Sequence, residues 1–154
     1  MRKRLTEKQV KRIEKDPKFL DNWKFLLIDY EVSEEFIEKY YKYLDSYYIF
    51  RKQKLSEEFI EKHKDDVDWA DISLYQKLSE GFIEKHKDKV DWNFISNNQN
   101  LTKEFIKRNK EYINWDELSY NENISKDLFI EFQNEVNWWI ISSFQKLSEG
   151  FITD

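Results

Sequence analysis

The sequence predicts an all-α protein, an α-solenoid of short antiparallel helical hairpins in about six repeats of 23 residues. Three observations support this prediction: a recurring Ser or Thr, a recurring Trp, and the spacing of the apolar residues between them. A Ser or Thr recurs every 23 residues, at Ser33, Ser56, Ser79, Thr102, Ser125 and Ser148. A Trp recurs with the same step, at Trp69, Trp92, Trp115 and Trp138, and Trp23 stands ten residues before Ser33 as Trp69 stands ten before Ser79.

The first half of each unit is typical of a helix, which we name the A helix. Numbered from its Ser or Thr, the unit opens S-E-E-F-I-E-K-H-K-D. Ser and Thr are preferred N-caps, and the Glu residues that follow favour the positive end of the helix dipole. Apolar residues at positions 4, 5, 12 and sometimes 8 suit one face of a helix of about three turns.

The second half predicts a shorter B helix. Its N-cap is the Asp or Asn at position 13, which occurs at Asp45, Asp68, Asp91, Asn114 and Asn137. Positions 14, 17, 18 and 21 share one face and hold Trp, Ile or Leu, mostly Ser, and mostly Gln. We expect the Trp and Ile to lie in the core, the small Ser to allow close helix approach, and the Gln to satisfy backbone groups or form a ladder between units.

The repeat register predicts one domain, 1–154. Residues 1–32 form an irregular N-terminal cap unit that contains Pro17, 33–147 are five regular repeats, and 148–154 are a partial repeat. We expect no strands, since apolar residues do not alternate with period two. Helices this short are marginal in isolation, so the units must stack. Because a partial last repeat leaves a core face partly open, a homodimer through that end is one alternative.

Composition excludes several classes of protein. The chain has no Cys, so it has no disulfide framework and no thiolate metal site. Its net charge of −5 opposes bulk attraction to nucleic acid, although a local basic patch stays open. The basic start has no apolar run behind it, and no stretch is long and apolar enough to span a membrane. We expect a soluble protein with no membrane partner.

The remaining positions of the B helix, 15, 16, 19 and 20, share the opposite face and vary freely between units. Large aromatic residues persist there, and aromatics and Arg dominate interface hot spots. The alternatives are drift on a solvated face or crowding by a neighbouring helix. The candidate partner-binding residues are Tyr47, Tyr48, Arg51, Lys52, Asp71, Tyr75, Asn93, Phe94, Asn97, Asp116, Glu117, Tyr120, Trp139 and Phe144.

The sequence offers no pattern for catalysis, a metal or a cofactor. His63 and His86 share position 8, but Tyr40, Asn109 and Phe132 replace them in other units, which indicates a packing slot. Serine-nucleophile and glycine-rich phosphate motifs are missing, and we predict a non-enzymatic protein. Tyrosines beside the run "FRKQK" could stack the bases of single-stranded nucleic acid, and regularly spaced acids could imitate its phosphates.

The phrase "LSEEFIEKH…VDW…IS…Q" resembles repeats in uncharacterised proteins of bacteriophages and large DNA viruses. The resemblance covers residues 33–154 well and the first 32 poorly. It implies a virus-encoded helical-repeat protein in the host cytoplasm, and it brings no catalytic residues. By analogy with other small phage proteins we expect it to bind and inhibit a host protein, such as a CRISPR or other defence protein. The alternative is a nucleic-acid-binding repeat protein or an acidic nucleic-acid mimic.

Overall fold

The computed structural model describes residues 3–16 and 23–145, and this part of the chain is mostly helical. Twelve α-helices in these ranges alternate between the predicted A and B positions. The A helices are α1 (Glu7–Lys15), α3 (Glu34–Tyr40), α5 (Glu57–Lys62), α7 (Glu80–Lys85), α9 (Lys103–Arg108) and α11 (Lys126–Glu131). The B helices are α2 (Trp23–Asp29), α4 (Ser46–Lys52), α6 (Trp69–Tyr75), α8 (Trp92–Asn98), α10 (Trp115–Tyr120) and α12 (Trp138–Phe144). Pro17 and the partial repeat at 148–154 lie outside the described residues.

The expectation of no strands is wrong at one place. Strand β1 (Lys3–Arg4) pairs in parallel with β2 (Tyr30–Glu31), with Lys3 opposite Tyr30. Each strand has two residues, which is too short for an alternating pattern to appear in the sequence. The pair joins the start of the chain to the segment that follows α2.

The chain forms two compact units, Met1–Gln76 and Lys77–Asp154. In the first unit α2 contacts α4 and α4 contacts α6, and in the second α8 contacts α10 and α10 contacts α12. In both, the core is built from position 5 of the A helix and position 17 of the B helix. These side chains are fully buried: Ile37, Ile60, Ile83, Ile106 and Phe129 at position 5, and Ile49, Ile72, Ile95, Leu118 and Ile141 at position 17. Organisation as one continuous domain stays a prediction.

The predicted N-caps are confirmed at both helices of the unit. Ser33 Oγ accepts from the backbone N–H of Phe36, and the side chain of Asp68 accepts from the backbone N–H groups of Ala70 and Asp71. Ser125 precedes its helix without this side-chain bond. The first A helix, α1, begins with a capping box in which Thr6 and Gln9 bond each other reciprocally.

The regular A helices are shorter than the predicted three turns. They contain six or seven residues, as in α5 and α3, and end at position 7 or 8. A hydrogen-bonded turn follows, in which the carbonyl of position 8 accepts from later N–H groups. His86 O, for example, accepts from Lys89 N at 2.8 Å and from Val90 N at 3.1 Å. This turn brings the apolar residue at position 12 back to the core.

Buried amides at position 21 join successive repeats inside each unit, as the sequence predicts. Gln76 Nε2 donates to the carbonyls of Phe50 at 2.6 Å and Gln53 at 2.9 Å, and Gln76 Oε1 accepts from Leu55 N at 3.1 Å. Position 21 of the fourth regular repeat is Glu122 instead. There Asn121, one residue earlier, donates to backbone carbonyls of the preceding repeat.

The Trp at position 14 was predicted to be core and is only half-buried at Trp69, Trp92 and Trp115. Trp92 stacks on Tyr112, with ring centroids 5.1 Å apart, and its indole Nε1 donates to Lys87 O at 3.0 Å. Its flat face therefore covers the next A helix while its edge stays accessible, because the indole N–H needs a polar partner.

Candidate interaction surface

The phase of each B helix decides where its variable residues project. The cap at position 13 makes position 14 the first helical residue, and the Ile or Leu at position 17 is buried in the core. Around that core, positions 15 and 20 are each exposed in four of the five regular repeats, whereas position 16 is half-buried or buried in all five. Most of the aromatic candidate residues fall into two clusters, one in each compact unit.

The Arg51 cluster lies in the first unit on α4 and α6 and consists of Tyr47, Tyr48, Arg51, Asp71 and Tyr75. Arg51 Nε donates to Asp71 Oδ2 at 2.6 Å, and an Arg51 terminal nitrogen donates to Tyr47 Oη at 2.8 Å. The guanidinium lies 4.0 Å from the ring centroid of Tyr47 and 5.5 Å from that of Tyr75. Tyr47 and Tyr48 meet edge to face at 5.0 Å. Arg51 is thus held between two tyrosines and a carboxylate.

The charge of Arg51 is largely compensated inside this cluster. Asp71 is only 8% exposed, and its hydrogen bond raises the pKa of the Arg51 guanidinium. Asp71 is therefore an internal partner of Arg51 more than a contact for another molecule. Beside the cluster, a cleft of about 190 Å³ is lined by Tyr47, Phe50, Arg51, Asp66, Asp68 and Asp71, along with Ser46. Lys52 is exposed at the end of α4.

The Trp139 cluster lies in the second unit and consists of Tyr120 on α10 and Trp139 and Phe144 on α12. The ring of Phe144 lies 5.1 Å from that of Tyr120 and 6.2 Å from that of Trp139. Tyr120 is 37% exposed, Trp139 68% and Phe144 54%. Three touching aromatic rings with this exposure form a continuous apolar patch.

Other candidate residues of the second unit form a polar rim between successive B helices. Asn97 Nδ2 donates to Glu117 Oε2 at 2.7 Å, the same pair of repeat positions that Arg51 and Asp71 occupy in the first unit. Asp116 Oδ1 accepts from Asn137 Nδ2 at 2.8 Å. Asn93 Oδ1 accepts from Asn114 Nδ2 at 2.7 Å, and Phe94 beside it is half-buried. Part of the variable face therefore ties one B helix to the next.

The sequence did not predict the exposure of two apolar residues, Ile130 and Trp138. Ile130 on α11 is 53% exposed at position 6, where the other regular repeats have Glu or Lys. Trp138 occupies repeat position 14, where the sequence predicts a core residue. It is 41% exposed, whereas Trp69, Trp92 and Trp115 at the same repeat position are half-buried. Comparison of position 6 across the repeats would have signalled Ile130.

The histidines occupy packing slots, as predicted. His86 is buried against Phe82 at 4.6 Å, and His63 stacks on Tyr41 at 4.5 Å with its Nε2 2.9 Å from Glu38 Oε1. Hydrogen bonds from Lys62 and then His63 lower the pKa of Glu38. Within the described ranges, no group of three or more His, Asp or Glu side chains is arranged to hold a metal ion.

The chemistry of both clusters is suited to contact with another molecule. Their members are aromatic rings, the Arg51 guanidinium and the Asp71 carboxylate, and such groups bind by burial, stacking and charge. None of the helices between residues 3 and 145 that the structure describes combines the length and apolarity needed to cross a bilayer.

Comparisons with protein-family models, curated proteins and solved structures find no significant match to this chain.

Proposed function

We propose that this protein is a non-enzymatic α-solenoid that binds another protein through the outward face of its B helices. The solenoid architecture is supported by bonds that recur between successive repeats within each unit. Besides the position-21 amides, Glu34 Oε2 accepts from Ser56 Oγ at 3.0 Å, and Glu80 Oε1 accepts from Thr102 N at 2.5 Å. Each repeat is stabilised by its neighbour, which is the defining property of a solenoid.

The observation that carries the binding proposal is the Trp139 cluster. Trp139 and Phe144 expose more than half of their surface although both touch other rings. Exposure of contiguous aromatic surface costs free energy in water, and such patches mark interaction sites on folded proteins. Trp and Tyr are also the side chains most enriched among residues that dominate binding energy. A B helix that served packing alone would need neither Trp139 nor Phe144 at these positions.

A photo-crosslinking experiment tests this proposal. p-Benzoylphenylalanine is placed at position 144 in one variant and at position 130 in a second, since Ile130 is an equally exposed apolar residue outside the cluster. In lysate of the host cell, the first variant should give one discrete protein adduct that the unlabelled protein competes away. An equal adduct from both variants, or an adduct insensitive to competition, would contradict the proposal.

The identity of the target rests on the resemblance to phage and large-virus repeats. On that ground we propose a host protein, including defence proteins such as CRISPR effectors, and a site of action in the host cytoplasm. The crosslinked adduct identifies the target directly by mass spectrometry. A viral protein as the sole adduct would remove the host-inhibitor part of the proposal and leave the binding surface intact.

Single-stranded nucleic acid is the second candidate, and the Arg51 cluster is the observation that favours it. Tyrosine faces beside a guanidinium can stack bases. The bond from Arg51 to Asp71 opposes this candidate, because the positive charge is already neutralised. Fluorescence anisotropy with a labelled oligothymidine distinguishes the two. Phosphate binding would give an affinity that falls steeply as salt rises, whereas we expect no saturable binding.

A further inference from the structure

The surroundings of the Trp139 cluster carry an excess of negative charge. Helices α8, α10 and α12 contain no Lys or Arg, and α10 contains Asp116 and Glu117. Residues 77–154 as a whole have ten Lys or Arg against fourteen Asp or Glu, so this unit has a formal charge of −4. Most of the charge of the protein is thus on the unit that bears the exposed aromatic patch.

Asp116 and Glu117 lie next to the aromatic rings. Both precede Tyr120 by one helical turn, so their side chains share its side of α10. The bond from Asn137 to Asp116 also fixes the start of α12 against this carboxylate, two residues before Trp139. The two acids therefore border the aromatic cluster on the side of α10.

Among the residues that the structure describes, Asp116 and Glu117 have no cationic partner. Within residues 26–145 their side-chain partners are asparagine amides, and neither forms an ion pair. Two acids on α11 and in the turn that follows it behave differently. Glu131 pairs with Lys103 and Lys107, and Glu135 pairs with Lys110. Lysines offset the charge of these two acids, whereas Asp116 and Glu117 have only asparagine amides as described side-chain partners.

From this charge pattern we infer that the Trp139 cluster binds a basic protein segment, one that carries Lys or Arg beside apolar side chains. The inference rests on the proposed function and names the partner chemistry of that same surface. A Lys or Arg side chain can lie over the exposed face of Trp139 as a cation–π contact while its charge meets Asp116 or Glu117. Apolar neighbours in the segment then cover Phe144 and Tyr120. Nucleic-acid phosphates would meet like charge here and are disfavoured.

A selection from a yeast-displayed library of random peptides tests the inference without a known partner. The full-length protein is the bait, and four forms of it are compared. These are the wild type, Trp139→Ala with Phe144→Ala, Asp116→Asn with Glu117→Gln, and the control Asp88→Asn with Glu111→Gln. The control removes two exposed acids from the second unit at the turn that follows the A helix. Circular dichroism of each form verifies the fold.

We expect the wild type to enrich peptides rich in Lys or Arg with apolar neighbours. Their affinity should fall at least roughly tenfold without the two rings and roughly threefold or more without the two cluster acids. The control should change affinity less than the cluster-acid variant. If the cluster-acid variant loses less affinity at high salt than at low salt, the two acids contribute to peptide binding through electrostatic attraction.

The outcomes separate this inference from the proposed function. Enriched peptides that need both rings but are uncharged or acidic would overturn the basic partner and leave the binding surface standing. Enriched peptides that bind the ring variant equally well, or no enrichment over an uncoated surface, would overturn both. The wild type could instead sediment as a dimer that the ring variant does not form, while no peptides are enriched. A second copy of the chain would then be the occupant of the surface, and the inference would be contradicted.

Discussion

At the scale of single residues, a buried amide decides how one repeat attaches to the previous one within a unit. Gln76 is nearly inaccessible, and its amide satisfies two carbonyls and one N–H of the preceding repeat. No water can replace these bonds at so buried a position, so loss of the amide leaves backbone groups unsatisfied. Position 21 thus matters to stability although its residue is polar.

Gln76→Ala should lower the free energy of unfolding by about 2–4 kcal/mol, since three buried backbone groups lose their partner. Urea unfolding followed by circular dichroism measures the change. Lys77→Ala, at the exposed next residue, is the control and should change the free energy by less than about 0.5 kcal/mol. Equal effects of the two substitutions would show that the amide does not stabilise the stack.

Glu38 makes stability sensitive to acid. Its pKa is lowered by hydrogen bonds from Lys62 and His63, so its contribution is present above the ordinary carboxyl pKa of 4.5 and is lost as pH falls through the folded value. Glu38→Gln should therefore cost stability at pH 7, by less than about 1 kcal/mol for so exposed a pair. Urea midpoints should converge with those of the wild type near pH 3, and a constant difference at all pH values would contradict this account.

At the scale of elements, N-caps set where each helix begins and so which residues face outward. The caps at positions 1 and 13 were predictable because Ser, Thr, Asp and Asn side chains can accept a hydrogen bond from the first free N–H groups of a helix. The short A helix was not predictable, because the turn after position 8 depends on the packing of position 12. The replacement of position 21 by Asn121 was equally hidden, since it depends on α10 ending one residue early.

Ser33→Ala should destabilise the protein by about 1 kcal/mol, because the hydroxyl caps the N–H of Phe36 at 3.2 Å. Ser125→Ala is a matched comparison at the same repeat position, where the side chain makes no cap bond. Its cost should be distinctly smaller. Thermal unfolding of both variants checks the difference, and equal losses would mean that the hydroxyl bond contributes nothing.

The candidate surface was predictable only in part. Comparison of the repeats separates varying from constant positions, and this is enough to identify Trp139, Phe144 and Tyr120 as candidates from the sequence alone. It could not foresee that Asp71 would be buried against Arg51, because that pair joins residues 20 apart in sequence. Positions that vary between repeats therefore lie outside the common core. Some of their side chains form hydrogen bonds that are specific to one pair of repeats.

At the scale of the whole molecule, the two compact units differ in charge and in the chemistry of their outward faces. Residues 1–76 have sixteen Lys or Arg and seventeen Asp or Glu, which leaves four of the five net negative charges to residues 77–154. The first unit has an arginine enclosed by tyrosines, and the second has bare aromatic rings bordered by unpaired acids. We therefore expect the second unit to dominate protein binding.

The most direct test of the central claim is the affinity of the crosslinked target for purified variants, measured by calorimetry. Trp139→Ala with Phe144→Ala should weaken binding at least roughly thirtyfold, the effect of one residue that dominates an interface. Ile130→Ala removes an exposed apolar side chain outside the cluster and should leave affinity within about twofold. Unchanged affinity in the double variant, with its circular dichroism spectrum intact, would contradict the claim that the B-helix face is the recognition surface.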